Sequence, residues 1–544
     1  MSVAAESAAG PLTVPPSANL AALLHARAAA HPDAPALIDA TGRGVRAYSF
    51  AQLDNAVARA ATLLHAHGLR PGHRVLIVHP MAADLYIALG AIFRLGAAAL
   101  FIDPSLGRAQ IAAACARLAP HALLATPKAH LLRLTMPALR RIPLDIATGW
   151  GAPGALAWRR LWQTPPGTPP VETSPETPAL LTLTSGSTGR PKIALRSQGF
   201  LQAQHAAIDA TLGLGVGDRV VTTLPIFVLS FLASGAATIL PAVDLRRPGQ
   251  VDAPALIEQI LQHRATCLAA SPALLEQIAR AGAAAGQTLP GITRIYSGGG
   301  PVFLRLLDAI QTAAPRAAVT AVYGATEAEP MAHLARSAIT VADRERMQNG
   351  GGLLVGTPIA AVRLRILPDR WGTPLGPFDA ATLESQTLPA HQPGEIWVSG
   401  DHVLAGYWQG EGDAETKVRV GDRVWHRTGD AGYLDETGRL WLLGRCAARV
   451  ADAQGVLYPF AVECAAQAFA EVKHAALVAQ DGERVLALEL YQPLTPARRA
   501  ALEDALAWAK LARIGVLPRL PVDRRHNAKI DYPALAALLA RAKR

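Results

Sequence analysis

Between Leu181 and Lys192 the chain reads Leu-Thr-Leu-Thr-Ser-Gly-Ser-Thr-Gly-Arg-Pro-Lys, with hydroxyl residues alternating with glycines directly after a strand-like run. Gly186 and Gly189 allow the backbone to bring its N–H groups close to an anion. Ser185, Ser187 and Thr188 add hydrogen-bond donors, and Lys192 adds charge. This is chemistry for holding phosphates. It is not a Walker A loop, because no Gly-Lys-Ser/Thr closes it at the required spacing. A polar surface loop is the plain alternative, and the ordered alternation of hydroxyls and glycines weighs against it.

A second string, Tyr323-Gly324-Ala325-Thr326-Glu327, follows the strand-like run Ala317 to Val322. A threonine hydroxyl beside a carboxylate suits a phosphate oxygen and its Mg²⁺, since Mg²⁺ takes few protein oxygens and shares the rest with phosphate and water. The competing expectation is a helix start capped by Thr326. In His426-Arg-Thr-Gly-Asp430 a carboxylate sits in a turn where it can accept two ribose hydroxyls, although Asp in a Gly turn is more often turn chemistry. Gly444-Arg445 offers a cation after the strand-like Leu440 to Leu443. His526-Asn-Ala-Lys529 is a polar turn carrying one of few lysines. Lys529 has the charge to neutralise a carboxylate and an α-phosphate as they approach, or it is simply solvated.

The elements that must position these strings alternate helical and strand-like patterns from about Leu20, as parallel α/β architectures do. The pattern predicts helices at Ala21 to Ala30, Phe50 to His67 and Leu85 to Leu95, with strands at Val75 to His79 and Ala97 to Ile102. The rhythm resumes with a strand at Ala265 to Ala270, a helix at Pro272 to Ala281, a strand at Arg294 to Tyr296 running into Ser297-Gly298-Gly299-Gly300, and a helix at Leu304 to Ala314. Beyond about Gly350 short strands and turns predict a β-rich subdomain. From Cys446 a small α+β unit is expected, ending in the helix Pro533 to Arg541.

The 544 residues exceed one compact core, and the 51% hydrophobic and 17% charged shares are those of a folded enzyme. A net charge of +10 raises the possibility of a polyanion partner. The excess is arginine scattered through alanine-rich sequence, with no basic run interleaved with aromatics, so nucleic acid is not an expected partner. The four cysteines show no CxxC spacing, and Met1 to Pro16 has no basic region followed by an apolar block. A cytoplasmic location with reduced thiols is the expectation. Val220 to Val243 lacks charge, but Pro225 and Pro241 interrupt it, so a buried strand, turn and helix is expected rather than a membrane span.

Taken in order, these strings resemble the adenylate-forming superfamily of acyl-CoA synthetases, fatty acyl-AMP ligases, firefly luciferase and peptide-synthetase adenylation domains, over about Leu20 to Arg541. The resemblance implies an α/β fold: an N-terminal domain, residues 1–445, of two Rossmann-like α/β subdomains plus a small β-rich subdomain, and a smaller mobile α+β C-terminal domain, residues 446–544. It implies that Thr184 to Lys192 holds the β- and γ-phosphates, and that Gly298, Gly299, Gly300, Tyr323 and Gly324 line the nucleotide pocket. Thr326 and Glu327 then contact phosphate, Glu327 binds Mg²⁺, Asp430 holds the ribose with help from Arg445, and Lys529 is the catalytic lysine. The implied reaction is ATP- and Mg²⁺-dependent activation of a fatty or β-hydroxy acid as its adenylate.

Within the superfamily the chain is most similar to the β-lactone synthetases of bacterial olefin synthesis. The similarity lies in Leu224-Pro-Ile-Phe-Val228, Arg247-Pro-Gly-Gln-Val251-Asp252, Gly455-Val-Leu-Tyr-Pro459 and Arg525-His-Asn-Ala-Lys529. That branch closes the adenylate with the substrate's own β-hydroxyl. The alternatives are transfer to CoA or an acyl carrier protein, and a non-catalytic nucleotide-binding scaffold. Two departures bear on the choice: Ile193 replaces the glycine usual after Pro-Lys, and Ala447, beside Ala448, occupies the hinge position.

Overall fold

The computed structural model describes residues 19–42, 44–102, 107–167, 169–184, 192–244, 251–523 and 528–541. Ser185, Gly186, Ser187, Thr188 and Gly189 lie outside the described residues, as do the Thr184 side chain, residues 247–250 and 525–527, and Met1 to Pro16. The chain divides into two compact units, one containing Arg46–Thr182 and Arg196–Gln202, the other Leu183–Leu195 and Ala203–Arg544.

The first unit is built on a parallel sheet in the order Leu156–Ala157, Leu144–Ala147, Ala122–Ala125, Arg74–Val78, Ala98–Phe101 and Pro178–Thr184. Helix Phe50–Ala66 begins with a capping box, Ser49 with Gln52, which satisfies backbone donors at its first turn. It packs closely on helix Ala83–Arg94, where a Cβ at Gly90 would come 2.7 Å from Val57. Both helices bury long apolar stretches, and the central strands are apolar on both faces, as parallel strands covered by helices are.

In the second unit a parallel half, Ala237–Leu240, Arg219–Thr222, Cys267–Ala270, Arg294–Ser297 and Ala318–Ala325, continues into an antiparallel half. The change of direction is the hairpin Ala318–Ala325/Ala328–Ala335, followed across the sheet by Leu353–Pro358, Leu440–Arg445, Arg423–Leu434, Gly394–Ser399 and Arg363–Leu367. This is the second α/β subdomain fused to the expected β-rich one. Near the C-terminus, strands Val472–Gln480, Glu483–Leu490 and Arg513–Val516 form a separate sheet. Apolar clusters cover both of its faces, one with Val462 and Leu502 and the other with Leu520 and Leu535.

The strand, turn and helix expected in residues 220–243 are present with a further strand after them, and the alternative of a helix capped by Thr326 is not seen. Residues 220–243 form strand Arg219–Thr222, helix Phe227–Ser234 and strand Ala237–Leu240, because Gly235 at φ +91° ends the helix and lets the chain return as a strand. Thr326 caps no helix: Thr326-Glu327 is the turn of the hairpin. The four cysteines are free and buried. Among the described residues no helix is long and apolar enough to cross a membrane.

Candidate active site

Two strands of the second unit set the position of Asp430. Strand Arg423–Leu434 pairs with Leu440–Arg445 so that Asp430 faces Arg445, and the register slips between Ala431 and Gly432. Gly429 has φ +70°, a conformation that costs other residues energy, and a Cβ there would fall 2.8 Å from the Trp371 ring. Asp430 is therefore strand-borne at an irregularity rather than in a free turn. The strand is anchored by a buried bidentate pair, in which Arg427 Nε and Nη2 donate to Glu395 Oε1 and Oε2 at 2.8 and 2.7 Å.

Asp430 is buried, at 8% exposure of the residue. Its Oδ2 accepts from the Tyr323 hydroxyl at 2.7 Å, and its Oδ1 lies 3.2 Å from Arg445 Nε. Burial and the Asp430 charge push the Tyr323 phenol well up, so it stays a donor. The Asp430 charge also raises Arg445, with Tyr323 and Glu327 adding to the effect. Each carboxylate oxygen keeps capacity for a second donor, so the cluster fits a ribose diol.

Lys529 belongs to the same neighbourhood. Asp523 Oδ1 accepts from the backbone N–H of Lys529 at 2.9 Å and of Ala528 at 3.2 Å, while Asp523 N donates to the Lys529 carbonyl at 2.8 Å. Burial lowers the Lys529 ammonium's pKa and Arg445 lowers it further, opposed by Asp430, Asp523 and Glu329. The glycine run meets this loop: a Cβ at Gly300 would come 2.8 Å from the Ala528 Cβ. Gly299 sits at φ +81°, and a Cβ at Gly298 would lie 2.8 Å from the Val322 carbonyl on the strand leading to Tyr323. Gly324 lies against Glu329, whose Cγ is 2.8 Å from where a Cβ would stand.

Glu327 and Lys192 meet through residues that the motif reading did not select. Bridges Ala328 to Val403 and Ala194 to Tyr407 draw residues 403–407 alongside both the hairpin turn and the strand starting at Lys192. The Tyr407 hydroxyl donates to Glu327 Oε1 at 2.7 Å, and Leu404 N donates to the Glu327 carbonyl at 2.7 Å. Lys192 Nζ pairs with Glu415 Oε2 at 3.0 Å, donates to the Gly412 carbonyl at 3.3 Å, and lies 5.3 Å from the Tyr407 ring centre. Lys417 Nζ lies 5.4 Å from the same ring and donates to the Leu404 carbonyl. Among the described residues no group of three or more His, Cys, Asp or Glu side chains is arranged to hold a metal. A single carboxylate beside a threonine still fits Mg²⁺, which is held by one or two carboxylates when phosphates complete its shell.

The structure thus brings Tyr323, Asp430, Arg445, Lys529 and the Gly298 to Gly300 run together, and links the Lys192 end of the phosphate-type string to Glu327 through Tyr407. Tyr407, Lys417 and Asp523 were missed. The one sequence signal for Lys417 was the rarity of lysine in an arginine-rich chain.

The AMP-binding enzyme family matches residues 24–408. An olefin beta-lactone synthetase of Stenotrophomonas maltophilia (strain K279a) is 32% identical over 522 residues, spanning 91% of this chain and 92% of that protein. Among solved structures, the anthranilate CoA ligase AuaEII in complex with anthranoyl-AMP matches with a TM-score of 0.80 at 18% identity, covering 97% of this chain and 99% of that one. The O-succinylbenzoate coenzyme A synthetase of Bacillus subtilis, in complex with ATP and magnesium ion, matches with a TM-score of 0.73 at 23% identity, covering 94% and 98%. At these identities the two structures establish a shared fold.

Proposed function

The chain belongs to the AMP-binding enzyme family and is an adenylate-forming ligase, and from that premise we propose that it joins a β-hydroxy fatty acid to AMP and then closes the product to a β-lactone. In the first step a carboxylate oxygen attacks the α-phosphorus of ATP and the bond to the β-phosphate breaks, releasing pyrophosphate. Two anions must meet, so positive charge has to be fixed where they converge. The observation that carries this reading is the convergence of Lys529, Arg445, Asp430 and Tyr323 in one neighbourhood. Asp430 holds the ribose, Tyr323 and Arg445 fix its carboxylate, and Lys529 presents its ammonium between the carboxylate and the α-phosphate. Gly298 to Gly300 and Gly324 line the nucleotide pocket, and residues 184–192 hold the β- and γ-phosphates. Mg²⁺, held by Glu327 with Thr326 beside it, would neutralise charge on the phosphate tail.

In the second step the substrate's β-hydroxyl oxygen attacks the acyl carbon, the acyl–phosphate C–O bond breaks, AMP leaves and the hydroxyl proton passes to solvent. No thiol is consumed. Support comes from the extended similarity to an olefin beta-lactone synthetase, and Ala447 stands at the hinge position with a methyl group in place of a polar side chain. Transfer to CoA or a carrier protein is the second reading, supported by 28% identity over 81% of each chain to an indoleacetate–CoA ligase of Aromatoleum aromaticum. Acid-dependent ATP–pyrophosphate exchange tests the first step. Exchange that depends on a β-hydroxy acid and falls about a hundredfold or more in Lys529→Ala supports it. Absence of exchange with every acid, or an unaffected Lys529→Ala enzyme, overturns it.

A further inference from the structure

Tyr407 is 7% exposed, and two ammonium groups lie against its ring, Lys192 at 5.3 Å and Lys417 at 5.4 Å. Placing two cations near one ring costs Coulomb energy, which cation–π attraction and neighbouring carboxylates offset. The rest of the arrangement closes on Glu327. Lys417 Nζ donates to the Leu404 carbonyl, Leu404 N donates to the Glu327 carbonyl, and the Tyr407 hydroxyl donates to Glu327 Oε1. Asp413 Oδ1 accepts from Tyr407 N at 2.8 Å and fixes the ring's backbone. Glu327 is thus gripped at its backbone and its carboxylate by Leu404 and Tyr407, and Lys417 is the cation that hydrogen bonds the first and lies against the ring of the second.

We propose that Lys417, acting through Tyr407 and Leu404, is a positioning residue for Glu327 and tunes the site for the polyphosphate tail of the nucleotide, leaving recognition of its ribose to Asp430. This rests on the assignment of Glu327 to the phosphate and Mg²⁺ end given above. The ammonium holds the Glu327 turn by hydrogen bonding Leu404 and adds positive potential beside the tail. Neutralising it loosens the turn and removes that potential together. A lysine serving stability alone would leave the choice between a long and a short phosphate tail unchanged.

The test is calorimetric titration of the full-length protein, its Lys417→Met and Lys417→Arg variants with Mg²⁺·ATP and, separately, with AMP. The expected result is that Lys417→Met weakens Mg²⁺·ATP about tenfold or more, as loss of a charge-assisted interaction does, and leaves AMP within about twofold. Lys417→Arg keeps the charge and restores at least part of the ATP affinity. Equal losses for both nucleotides, or no loss for either, overturn the proposal. Should Lys417→Met fail to fold, Tyr407→Phe, which removes the hydroxyl bonded to Glu327, takes its place, and equal losses for the two nucleotides or no loss for either overturn the proposal. A parent enzyme that binds neither nucleotide removes the nucleotide reading itself, whereas normal parent binding with an unmoved ratio removes the Lys417 role alone.

Discussion

The Tyr323 hydroxyl donates to Asp430 Oδ2 at 2.7 Å across 107 residues of sequence. It ties the last parallel strand of the second unit to the antiparallel strand carrying Asp430, the carboxylate proposed to hold the ribose. Because burial and Asp430 keep Tyr323 protonated, the carboxylate has a permanent neutral donor on one side and the Arg445 cation on the other. Its direction is fixed before any ligand arrives, which is what preorganisation requires.

Removing that carboxylate should therefore damage nucleotide binding more than folding. Asp430→Ala is expected to lower kcat/KM for ATP about 10- to 100-fold, the range for hydrogen bonds to a charged group. Pyrophosphate exchange kinetics would measure this, with a melting curve close to the parent's as the control.

The glycine run gives a steric prediction. In Gly300→Ala the new Cβ meets Ala528 at 2.8 Å and must displace the loop that carries Lys529. The adenylation rate should fall about tenfold or more, since small misplacements of a catalytic group carry costs of this order. Single-turnover formation of pyrophosphate reads this directly.

Lys417 supplies a pH dependence. Burial lowers it to about 8, Glu327 and Asp413 oppose the shift, and Lys192 adds to it. His426 faces it as well and is held neutral, by burial first and then by Lys417. The ammonium is present below pH 8 and lost above it, so Mg²⁺·ATP affinity should fall between pH 7 and pH 9 relative to AMP affinity. Lys417→Arg, charged throughout, should flatten that change.

A second titration concerns stability. Glu463 is buried, accepts from the Tyr532 hydroxyl at 2.8 Å and from Leu477 N at 3.1 Å, and is raised by burial to about 8. The folded state therefore holds a proton that the unfolded state releases. Its contribution is full below the ordinary carboxylate range and is lost as pH rises toward 8. Glu463→Gln keeps the neutral form's hydrogen bonds. Its melting temperature should gain on the parent's between pH 5 and pH 8, by an amount equivalent to about 1–3 kcal/mol.

The residues that the structure brings together were legible in the sequence because they stand in contiguous strings. Thr326-Glu327, Asp430, Arg445 and Lys529 each stand next to glycines, hydroxyls or strand endings that give them away. The alternation of helical and strand-like runs likewise predicted the α/β framework and the β-rich segment. Tyr407 and Asp523 were not legible, and Lys417 was marked only by the rarity of lysine. Each is a single residue in unremarkable sequence, and its role arises from tertiary pairing, such as the bridge from Ala194 to Tyr407. Residues 220–243 carry the strand, turn and helix expected of them, and the strand Ala237–Leu240 that follows was not read because four apolar residues show no period of their own.

In the proposed reaction one enzyme activates a β-hydroxy acid with ATP and resolves the adenylate internally. Incubating the purified protein with a long-chain β-hydroxy acid, ATP and Mg²⁺ in the absence of any thiol, and quantifying nucleotide and acyl products together, tests it most directly. The proposed reaction yields equal amounts of AMP, pyrophosphate and β-lactone. ADP with inorganic phosphate, or an acyl product that forms only when CoA is added, would contradict it.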